Sequence, residues 1–375
     1  MKKPSQRKGP LSLVLLATLM GLLTVCENAP APPELWISYP GGQGRGAGKN
    51  IVLIAADDEY RSEELIPQLA KILSVYHGFR CTVLFAMDRK KGVIDPEVID
   101  DIPGLEALEE ADLMVLFARF RELPDSQMER IVDFMESGKG VVGLRTSTHA
   151  FRYQDRIDSP YARYSFDSLE PKGGFGRHIL GETWVAHYGK HQEESTRGLI
   201  PEEAKDHPIV QGCQDIWGPS DVYAISTLSG DSRPLILGQV LTGMSSQDAP
   251  NPEKELVPVA WTKSHRGEKG KVLRIFTTTM GHAKDLQSEG FRRLVVNACY
   301  WAARMEGEIP DPSKVDLVGA YAPSPIGFGD HRRGVRPQDH RIPRDSSSEI
   351  HELERVAFLG LPSCLPRRRK FRFQR

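Results

Sequence analysis

Between residues 50 and 149, short apolar runs alternate with segments of helical periodicity, and this alternation leaves few folds open to the chain. The apolar runs span residues 51–56, 80–86, 111–118 and 141–144. The helical segments span residues 63–77 and 125–137. Strands that are hydrophobic almost throughout, and that are separated by helices, are typical of a parallel sheet covered on both faces. The pattern therefore predicts an α/β fold with a mostly parallel sheet and helices on both faces.

The alternation stops at an irregular segment, residues 150–195, which is rich in Gly, His, Tyr and charged residues. An irregular insertion of this length in a compact domain is usually functional or disordered, and its aromatic residues favour order. Beyond it we predict strands at residues 222–228, 234–240, 256–262 and 271–277, and a closing helix at residues 288–305. We therefore place one domain at residues 50–306.

The first 26 residues have the composition of a targeting segment. Basic residues precede an apolar run at residues 11–25, which has the length of a signal-peptide core and is short for a membrane-spanning helix. We expect an exported protein, periplasmic or held at the periplasmic side of the membrane by an uncleaved signal or by lipidation of Cys26. Residues 27–49, rich in Pro and Gly, are predicted to form a linker, and residues 307–375 an extended, disordered tail.

The charge balance argues against a nucleic-acid partner. There are 49 basic and 50 acidic residues, which give a net charge of −1, whereas binding to phosphates needs a basic excess or a basic stripe. The one basic run, residues 367–370, lies in the predicted tail, where such runs are usually solvated. Five cysteines are present and none forms a C-x-x-C pair, so no zinc-ribbon or dithiol motif is predicted.

Polar side chains follow the predicted strands at the points where the strands end. They are Asp57 and Glu59 after the first strand, Glu122 after the third, Arg145, Thr146, Ser147 and His149 after the fourth, and His282 after the last. The carboxyl ends of parallel strands share one edge of the sheet, where ligands bind in open α/β folds. We therefore expect these side chains to converge on one crevice, and Asp57 and its neighbour Asp58 are the ones best explained as caps.

The irregular insertion adds histidines to this set. His187 and His191 have i, i+4 spacing, which would place both rings on one face of a helix, although Gly189 weakens that helix. A metal-dependent hydrolase that uses His178, His187 and His191 is therefore one hypothesis. Because the sequence has neither H-E-x-x-H nor a carboxylate triad of the metal-binding type, we predict no metal and no cofactor.

Four ordered motifs give the chain a resemblance to a known family. They are Gly143-Leu144-Arg145-Thr146-Ser147-Thr148-His149, Phe175-Gly176 with His178, His207-Pro208-Ile209 followed by Asp221 and Tyr223, and residues 277–282 before a helix ending in Tyr300-Trp301-Ala302. In these motifs the chain resembles the trehalose-utilisation (ThuA-like) family over residues 50–305. The resemblance implies membership of the class I glutamine-amidotransferase-like superfamily, and with it a flavodoxin-like fold and a substrate related to sugars.

The resemblance also gives the turn after the fourth strand a specific meaning. Amidotransferases of this superfamily carry a nucleophilic Cys at this strand-to-helix elbow and activate it with a downstream His. The elbow here holds Arg145, beside Thr146 and Ser147, and His282 matches the downstream His. Without a thiolate the glutaminase reaction lacks its nucleophile, so we expect no glutaminase activity. A hydroxyl from Ser147 or Thr146 would need a base within reach to take its place.

The resulting hypothesis is an exported ThuA-like protein that acts on, or binds, a carbohydrate or an oxidised sugar derivative. The catalytic candidates are His282, His149, Arg145 and Ser147, and the substrate-binding candidates are Asp57, Glu59, Glu122, Thr146, His178, Trp184, His187 and Tyr223. In this hypothesis aromatic side chains stack on a sugar ring, arginine polarises a carbonyl or binds a carboxylate, and imidazoles transfer protons. The alternative is a non-catalytic ligand-binding or interaction module that keeps the fold.

Overall fold

A ten-stranded mixed sheet lies at the centre of the computed structural model, which describes residues 34–225 and 227–342. Its strands are β1 (Trp36–Tyr39), β2 (Asn50–Ala56), β3 (Arg80–Phe85), β6 (Leu113–Ala118), β7 (Gly140–Leu144), β8 (Thr196–Leu199), β9 (Trp217–Gly218), β10 (Arg233–Val240), β11 (Val257–Arg266) and β12 (Val272–Thr278). A separate two-stranded sheet consists of β4 (Met87–Asp88) and β5 (Val93–Ile94). The helices are α1 (Ser62–His77), α2 (Asp125–Glu136) and α3 (Glu289–Ala302). The predicted signal, Cys26 and the end of the predicted tail lie outside the described residues.

The sheet follows the order β1-β3-β2-β6-β7-β12-β11-β10-β8-β9. Its five neighbouring strands from β3 to β12 are parallel. In contrast, β1 on one side and β11, β10, β8 and β9 on the other pair in antiparallel fashion. The prediction of a parallel sheet thus holds for the central strands, and the whole sheet is mixed. β11 and β12 are joined by a short turn, and a connection that short returns the chain as an antiparallel neighbour.

The five parallel strands have the order 2-1-3-4-5 when they are numbered along the chain, because β3 lies outside β2. The boundary between β2 and β6 is therefore the point from which the chain builds the sheet in opposite directions. In open α/β sheets, ligands bind outside the carboxyl ends of the strands at such a boundary. The carboxyl ends of β2, β6 and β7 are accordingly the place where the fold favours a site.

Two hydrophobic layers cover the opposite faces of the sheet. Leu53 of β2 belongs to the layer that contains α1 and α3, and its neighbour Ile54 belongs to the layer that contains α2. Both side chains are completely buried. Successive side chains of a strand point to opposite faces, so a strand covered on both faces is hydrophobic throughout. Helices therefore lie on both faces, and among the described residues none is long and apolar enough to cross a membrane.

The sequence predicts a strand at residues 222–228. The structure shows no strand among those of these residues that it describes. Tyr223 makes only an isolated bridge with His187. The carbonyl of Val222 accepts the amide of Tyr188 at 2.9 Å. This apolar run therefore pairs with the irregular insertion rather than with the sheet.

Both predicted flanks of the domain contribute to the fold where the structure describes them. β1 falls within the residues predicted to be a linker, and its Ile37 and Tyr39 are buried. Within the predicted tail, Val315 packs into the layer of α1 and α3. The hydroxyl of Tyr321 donates to the carbonyl of Ala283 at 2.7 Å. Each of these segments buries only a few apolar side chains, which is too few to produce a periodic pattern in the sequence.

Candidate functional site

The turns that follow β2, β6 and β7 meet at one edge of the sheet, which we call the crevice. Arg119, directly after β6, forms ion pairs with Asp58 at 3.1 Å and with Glu59 at 3.2 Å, both in the turn after β2. Thr146, after β7, donates its hydroxyl to Oδ2 of Asp57 at 2.8 Å. These contacts bring the polar groups of three strand ends into one region.

The turn after β7 is a strained elbow with arginine at its first position. Arg145 has a φ of 46°, in the left-handed region that non-glycine residues rarely adopt and that is characteristic of strained functional turns. A short 3-10 helix, Arg145–His149, follows directly. Gly281 runs close beside the elbow, since a Cβ at that position would lie 3.3 Å from the Cβ of Arg145. The backbone thus turns sharply at Arg145, between the end of β7 and the short helix.

The guanidinium of Arg145 is enclosed by neighbouring side chains. It lies between the rings of Tyr60 and Tyr223, at 4.2 and 4.1 Å from their centroids. Its nitrogens donate to the carbonyl of Thr279 and to Oδ1 of Asp221, each at 2.7 Å. No part of the side chain is exposed to solvent. Arg145 therefore holds Asp221 in place and does not present its charge at the surface.

Asp221 is the centre of a polar group of residues, which comprises Asp221, His187, His191 and Glu59 and which we call the His–Asp cluster. Nδ1 of His187 lies 2.5 Å from one carboxylate oxygen of Asp221, and Nδ1 of His191 lies 3.3 Å from the other. Nε2 of His191 lies 3.7 Å from a carboxylate oxygen of Glu59. Burial alone would raise the pKa of Asp221, but Arg145 and the histidines outweigh it and hold that pKa well below its usual range. Asp221 is therefore ionised at neutral pH.

The His–Asp cluster reaches solvent through its histidines. The side chains of His187 and His191 are 34% and 29% exposed, whereas that of Asp221 is fully buried. Because Nδ1 of His187 faces Asp221, Nε2 is the nitrogen that remains for a ligand or a proton. A carboxylate that fixes one nitrogen of a histidine and leaves the other free is the arrangement of a general base.

Phe120, Phe166 and Trp184 surround His149 and form what we call the aromatic wall. This wall lies next to the His–Asp cluster. The ring centroids of Phe120 and Trp184 lie 5.1 and 5.4 Å from that of His149, and Trp184 lies 6.1 Å from His187. Burial, reinforced by two nearby arginines, holds the pKa of His149 well below its usual range. His149 is therefore a neutral imidazole within this wall, and the wall ends beside the His–Asp cluster.

The hydroxyl groups of the elbow are engaged in holding the strand ends together. Ser147 donates to the carbonyl of Leu116 in β6 at 2.7 Å, and Thr146 donates to Asp57 as described. Both hydroxyl-bearing side chains are fully buried. Asp57 also accepts the backbone amide of Glu59 at 3.0 Å, which makes it a cap for the turn before α1. Neither hydroxyl is directed at solvent in this arrangement.

Tyr60 packs against both His282 and His191, a member of the His–Asp cluster. The ring centroid of Tyr60 is 6.3 Å from that of His282 and 6.0 Å from that of His191. The side chain of His282 accepts the amide of Lys284 at 3.4 Å and so caps the short turn Ala283–Gln287. Burial and nearby cations lower the pKa of His282 to about 3. His282 is thus a buried, neutral capping residue that packs against Tyr60.

Two further candidates from the sequence lie apart from the His–Asp cluster. A carboxylate oxygen of Glu122 accepts backbone amides from residues 154 and 155 at 3.1 and 2.8 Å, so Glu122 organises that loop. His178 packs against His265 of β11, with ring centroids 5.0 Å apart. The histidine set proposed from the sequence therefore separates, with His178 outside the group that the other two form.

Three donors of the His–Asp cluster are arranged so that they could hold a metal ion. Ligand atoms of His187, His191 and Asp221 lie within 4.8 Å of one another. Two histidines and one carboxylate are a donor set for Zn²⁺ or Fe²⁺ with open coordination positions. The prediction of no metal rests on the absence of H-E-x-x-H and of a carboxylate triad in the sequence, and His178 was the third residue considered with His187 and His191. Asp221 lies 30 residues beyond His191 and was noted only as part of a family motif.

The fold and the site together define a mixed α/β protein whose polar cluster lies at the carboxyl ends of parallel strands and is completed by an irregular insertion. A model of the ThuA family, described as trehalose utilisation, matches residues 85–302, more than half of the chain. The chain therefore belongs to the ThuA family.

The comparison with solved structures finds similar chains at low identity. A ThuA-like protein from Parabacteroides merdae ATCC 43184 has 16% identity and a TM-score of 0.43, with 75% of this chain and 97% of that chain covered. A ThuA-like protein from Bacteroides uniformis ATCC 8492 has 16% identity and a TM-score of 0.41, with 70% of this chain and 95% of that chain covered. No curated protein matches the chain.

Proposed function

We propose that this chain acts on a carbohydrate or an oxidised sugar derivative that binds in the crevice, between the aromatic wall and the His–Asp cluster. Membership of a family described as trehalose utilisation supports a substrate related to sugars. The observation that carries the proposal is the pairing of His187 with Asp221 beside Trp184. A partly exposed imidazole with a fixed orientation next to an indole ring suits a ligand that has both hydroxyl groups and an apolar ring face.

The proposed role of His187 is to accept a proton from a sugar hydroxyl or from a carbon next to a carbonyl. Asp221 holds the imidazole at Nδ1 and stabilises the positive charge that the ring gains when Nε2 accepts a proton. Arg145 acts indirectly, through Asp221, because it keeps the carboxylate of Asp221 ionised and oriented. Arg119, which is 18% exposed and braced by Asp58, is the cation of the crevice that a carbonyl or carboxylate oxygen can reach.

We also propose that the fold is flavodoxin-like and that the chain is a member of the class I glutamine-amidotransferase-like superfamily. The 2-1-3-4-5 order of the parallel strands and the positive φ of Arg145 support this relation. Glutaminase activity is not expected, because the elbow position carries arginine. The thiols that the structure describes, Cys81, Cys213 and Cys299, are buried, and burial raises their pKa values.

Turnover of trehalose, of other disaccharides and of their oxidised derivatives by the full-length chain tests the proposal. His187→Ala is expected to lower kcat by about 10²–10⁴-fold, the usual contribution of a general base. Trp184→Ala is expected to raise KM. The control is His178→Ala, since His178 lies apart from the crevice, and this variant should keep wild-type rates. If wild type and His187→Ala turn over every substrate equally well, His187 is not the base.

The alternative function is a non-catalytic module that binds the same class of ligand. In that case calorimetry would show sugar binding that Trp184→Ala weakens, while none of the sugars is converted. Turnover that depends on His187 would rule this alternative out.

A metal-assisted reaction is a second candidate, favoured by the grouping of His187, His191 and Asp221. These residues would hold a divalent ion that acts as a Lewis acid beside the aromatic wall. Elemental analysis of protein purified without chelators tests this candidate. A stoichiometric metal that is lost in His191→Ala would support it, whereas metal-free protein with activity unchanged by chelators would exclude it.

Export is our proposal for the cellular location, on the composition of residues 1–26. Fractionation of cells that produce the full chain should place it in the periplasmic or membrane fraction. Deletion of residues 1–26 should retain the protein in the cytoplasm, and Cys26→Ser distinguishes a lipid anchor from a cleaved signal. Equal distribution of the full and shortened chains would contradict export.

A further inference from the structure

A cavity of about 280 Å³ lies between α1 and residues 320–340 of the carboxyl-terminal segment, and we call it the α1 cavity. Glu63, Gln68 and Lys71 line it from the helix, and Tyr321 and His340 are among the residues opposite. No residue of the His–Asp cluster or of the aromatic wall lines it. Ligand pockets in proteins begin at roughly 300 Å³, so a molecule with a single ring is the right size for this space.

Four buried polar atoms of residues that line the cavity have no hydrogen-bond partner in the described part of the chain. They are both carboxylate oxygens of Glu63, Nε2 of Gln68 and Nε2 of His340. Glu63 is only 6% exposed and Gln68 only 3%. Buried polar groups in proteins are almost always hydrogen-bonded, and each exception requires an explanation. Because Glu63, Gln68 and His340 all line one cavity, a single bound polar molecule is the simplest common partner for their side chains.

The other carboxylates around the cavity already have partners. Glu64 accepts hydrogen bonds from the amide and the hydroxyl of Ser324, each at 2.7 Å, and pairs with Arg332 at 3.3 Å. Asp339 accepts the amide of Arg336 at 2.8 Å. The buried side-chain groups of the lining that have no partner in the described part of the chain are therefore those of Glu63, Gln68 and His340.

The chemistry of the unpaired groups favours an uncharged ligand. Burial raises the pKa of Glu63 to about 8, so the carboxyl group is mostly protonated at neutral pH and offers both a donor and an acceptor. Burial lowers the pKa of His340 to about 4, so its ring is neutral. None of these three groups therefore brings a full charge that a ligand would have to balance. Ile94 and Val335 add apolar surface to the walls.

We propose that the α1 cavity binds one small polyhydroxyl molecule, a monosaccharide or a cyclic polyol, through Glu63, Gln68 and His340. Each hydroxyl of such a molecule both donates and accepts, which matches a mixture of carboxyl, amide and imidazole groups. The apolar walls contact the C–H faces of its ring. This site is separate from the crevice, and the proposal does not depend on the function proposed there.

Calorimetry and ligand-observed NMR with glucose, myo-inositol and glycerol, on the full-length chain, test the proposal. A ligand of this size is expected to bind with a dissociation constant in roughly the millimolar range. Glu63→Leu and Gln68→Leu retain most of the side-chain volume but remove the hydrogen-bonding groups, so each should weaken binding by about tenfold or more. Glu63→Gln keeps a donor and an acceptor and should bind within about threefold of wild type.

The variant His187→Ala distinguishes binding in the α1 cavity from binding in the crevice. A probe that occupies the α1 cavity binds to His187→Ala as it does to wild type and is lost in Glu63→Leu. Glu63→Leu removes a buried, unpaired carboxyl group, so its Tm should equal or exceed that of wild type, and this shows that the loss of binding is not a loss of fold. If Glu63→Leu does not fold, Gln68→Leu and Glu63→Gln provide the comparison.

Three results would overturn the inference. The first is the absence of binding of every probe at roughly ten times the expected dissociation constant. The second is equal binding of each bound probe to wild type and to both leucine variants. The third is a crystal structure at saturating probe in which the α1 cavity contains ordered water alone.

Discussion

Arg145 and Asp221 show how a buried ion pair can organise a site from beneath it. Two tyrosine rings hold the guanidinium flat, and the guanidinium in turn fixes the carboxylate that orients His187. The charge of Arg145 is therefore paired with Asp221 inside the protein, and the imidazoles of the His–Asp cluster are the groups exposed at the crevice. Breaking such a pair leaves one charge buried without its partner, which is strongly destabilising.

Arg145→Met is therefore expected to lower the free energy of unfolding by about 3–5 kcal/mol, because Asp221 would keep only its histidine partners. Urea denaturation measures the change. The control is Arg163→Met, because Arg163 is 48% exposed and pairs at 3.6 Å, and its loss should change stability by less than about 1 kcal/mol. In the double variant Arg145→Met/Asp221→Asn part of the stability should return. A single Arg145→Met variant as stable as wild type would contradict the positioning role.

The raised pKa of Glu63 is expected to make the protein less stable as the pH rises. A carboxylate whose pKa is lowered by an ion pair has the opposite effect. Burial raises its pKa from 4.5 to about 8, so the folded state retains a proton that the unfolded state releases. Its contribution to stability is largest below pH 4.5 and is lost as the pH rises towards 8. Between these limits the free energy of unfolding should fall more steeply in wild type than in Glu63→Gln. Parallel pH profiles for the two proteins would show that Glu63 does not titrate in this way.

At the scale of elements, the parallel strands could be predicted because each is hydrophobic on both faces, as Leu53 and Ile54 illustrate. β1 could not be predicted, since it is a short edge strand whose burial alternates and whose neighbours include proline and glycine. Residues 222–228 have the composition of a strand, yet their backbone pairs with the irregular insertion. The composition of a segment indicates that its side chains become buried, but it does not indicate which other segment packs against them.

The same limit explains which parts of the site could be predicted. Glu59 and the elbow follow strands with a recognisable pattern, so their position at the sheet edge could be inferred. His187 and Asp221 meet only because two irregular segments fold over that edge, and no periodicity in the sequence records such a contact. Phe120 and Arg119 were not selected as candidates, although they follow directly after β6 and now line the crevice.

β1 is expected to respond to mutation as a strand of the sheet and not as a linker. Ile37→Ala removes a buried side chain and should lower the free energy of unfolding by about 2–5 kcal/mol. Ser38→Ala lies on the exposed face of the same strand and should change stability by less than about 0.5 kcal/mol. Urea denaturation of both variants measures the difference. A loss for Ile37→Ala no larger than that for Ser38→Ala would mean that β1 contributes nothing to the fold.

At the scale of the whole molecule, the segment after α3 connects parts of the protein that are distant in sequence. The carbonyl of Val335 accepts the amide of Ile94, and the carbonyl of His340 accepts the hydroxyl of Tyr39, each at 2.8 Å. On its way this segment covers α1 and forms the outer wall of the α1 cavity. It therefore belongs to the folded unit, and a domain boundary at residue 306 would cut through contacts.

Ending the chain after residue 306 is expected to destabilise it by several kcal/mol, at about 1.5–3 kcal/mol for each buried side chain that is lost. Ile309, Val315 and Val318 are the side chains concerned. Ending the chain after residue 342 keeps all the residues after α3 that the structure describes, and it is the matched control. Differential scanning calorimetry should show a lower Tm for the shorter truncation alone. Equal Tm values for the two truncated chains would show that residues 307–342 are dispensable.

The buried pair also limits the substitutions that are open to this chain over evolutionary time. Arg145→Cys would place a thiol at the elbow, but it would leave the buried charge of Asp221 without its arginine partner. Asp221→Asn alone would leave Arg145 in the same condition and would also remove the anchor of His187. Each route begins with a less stable protein. A change of residue at position 145 would therefore require a change at position 221 as well.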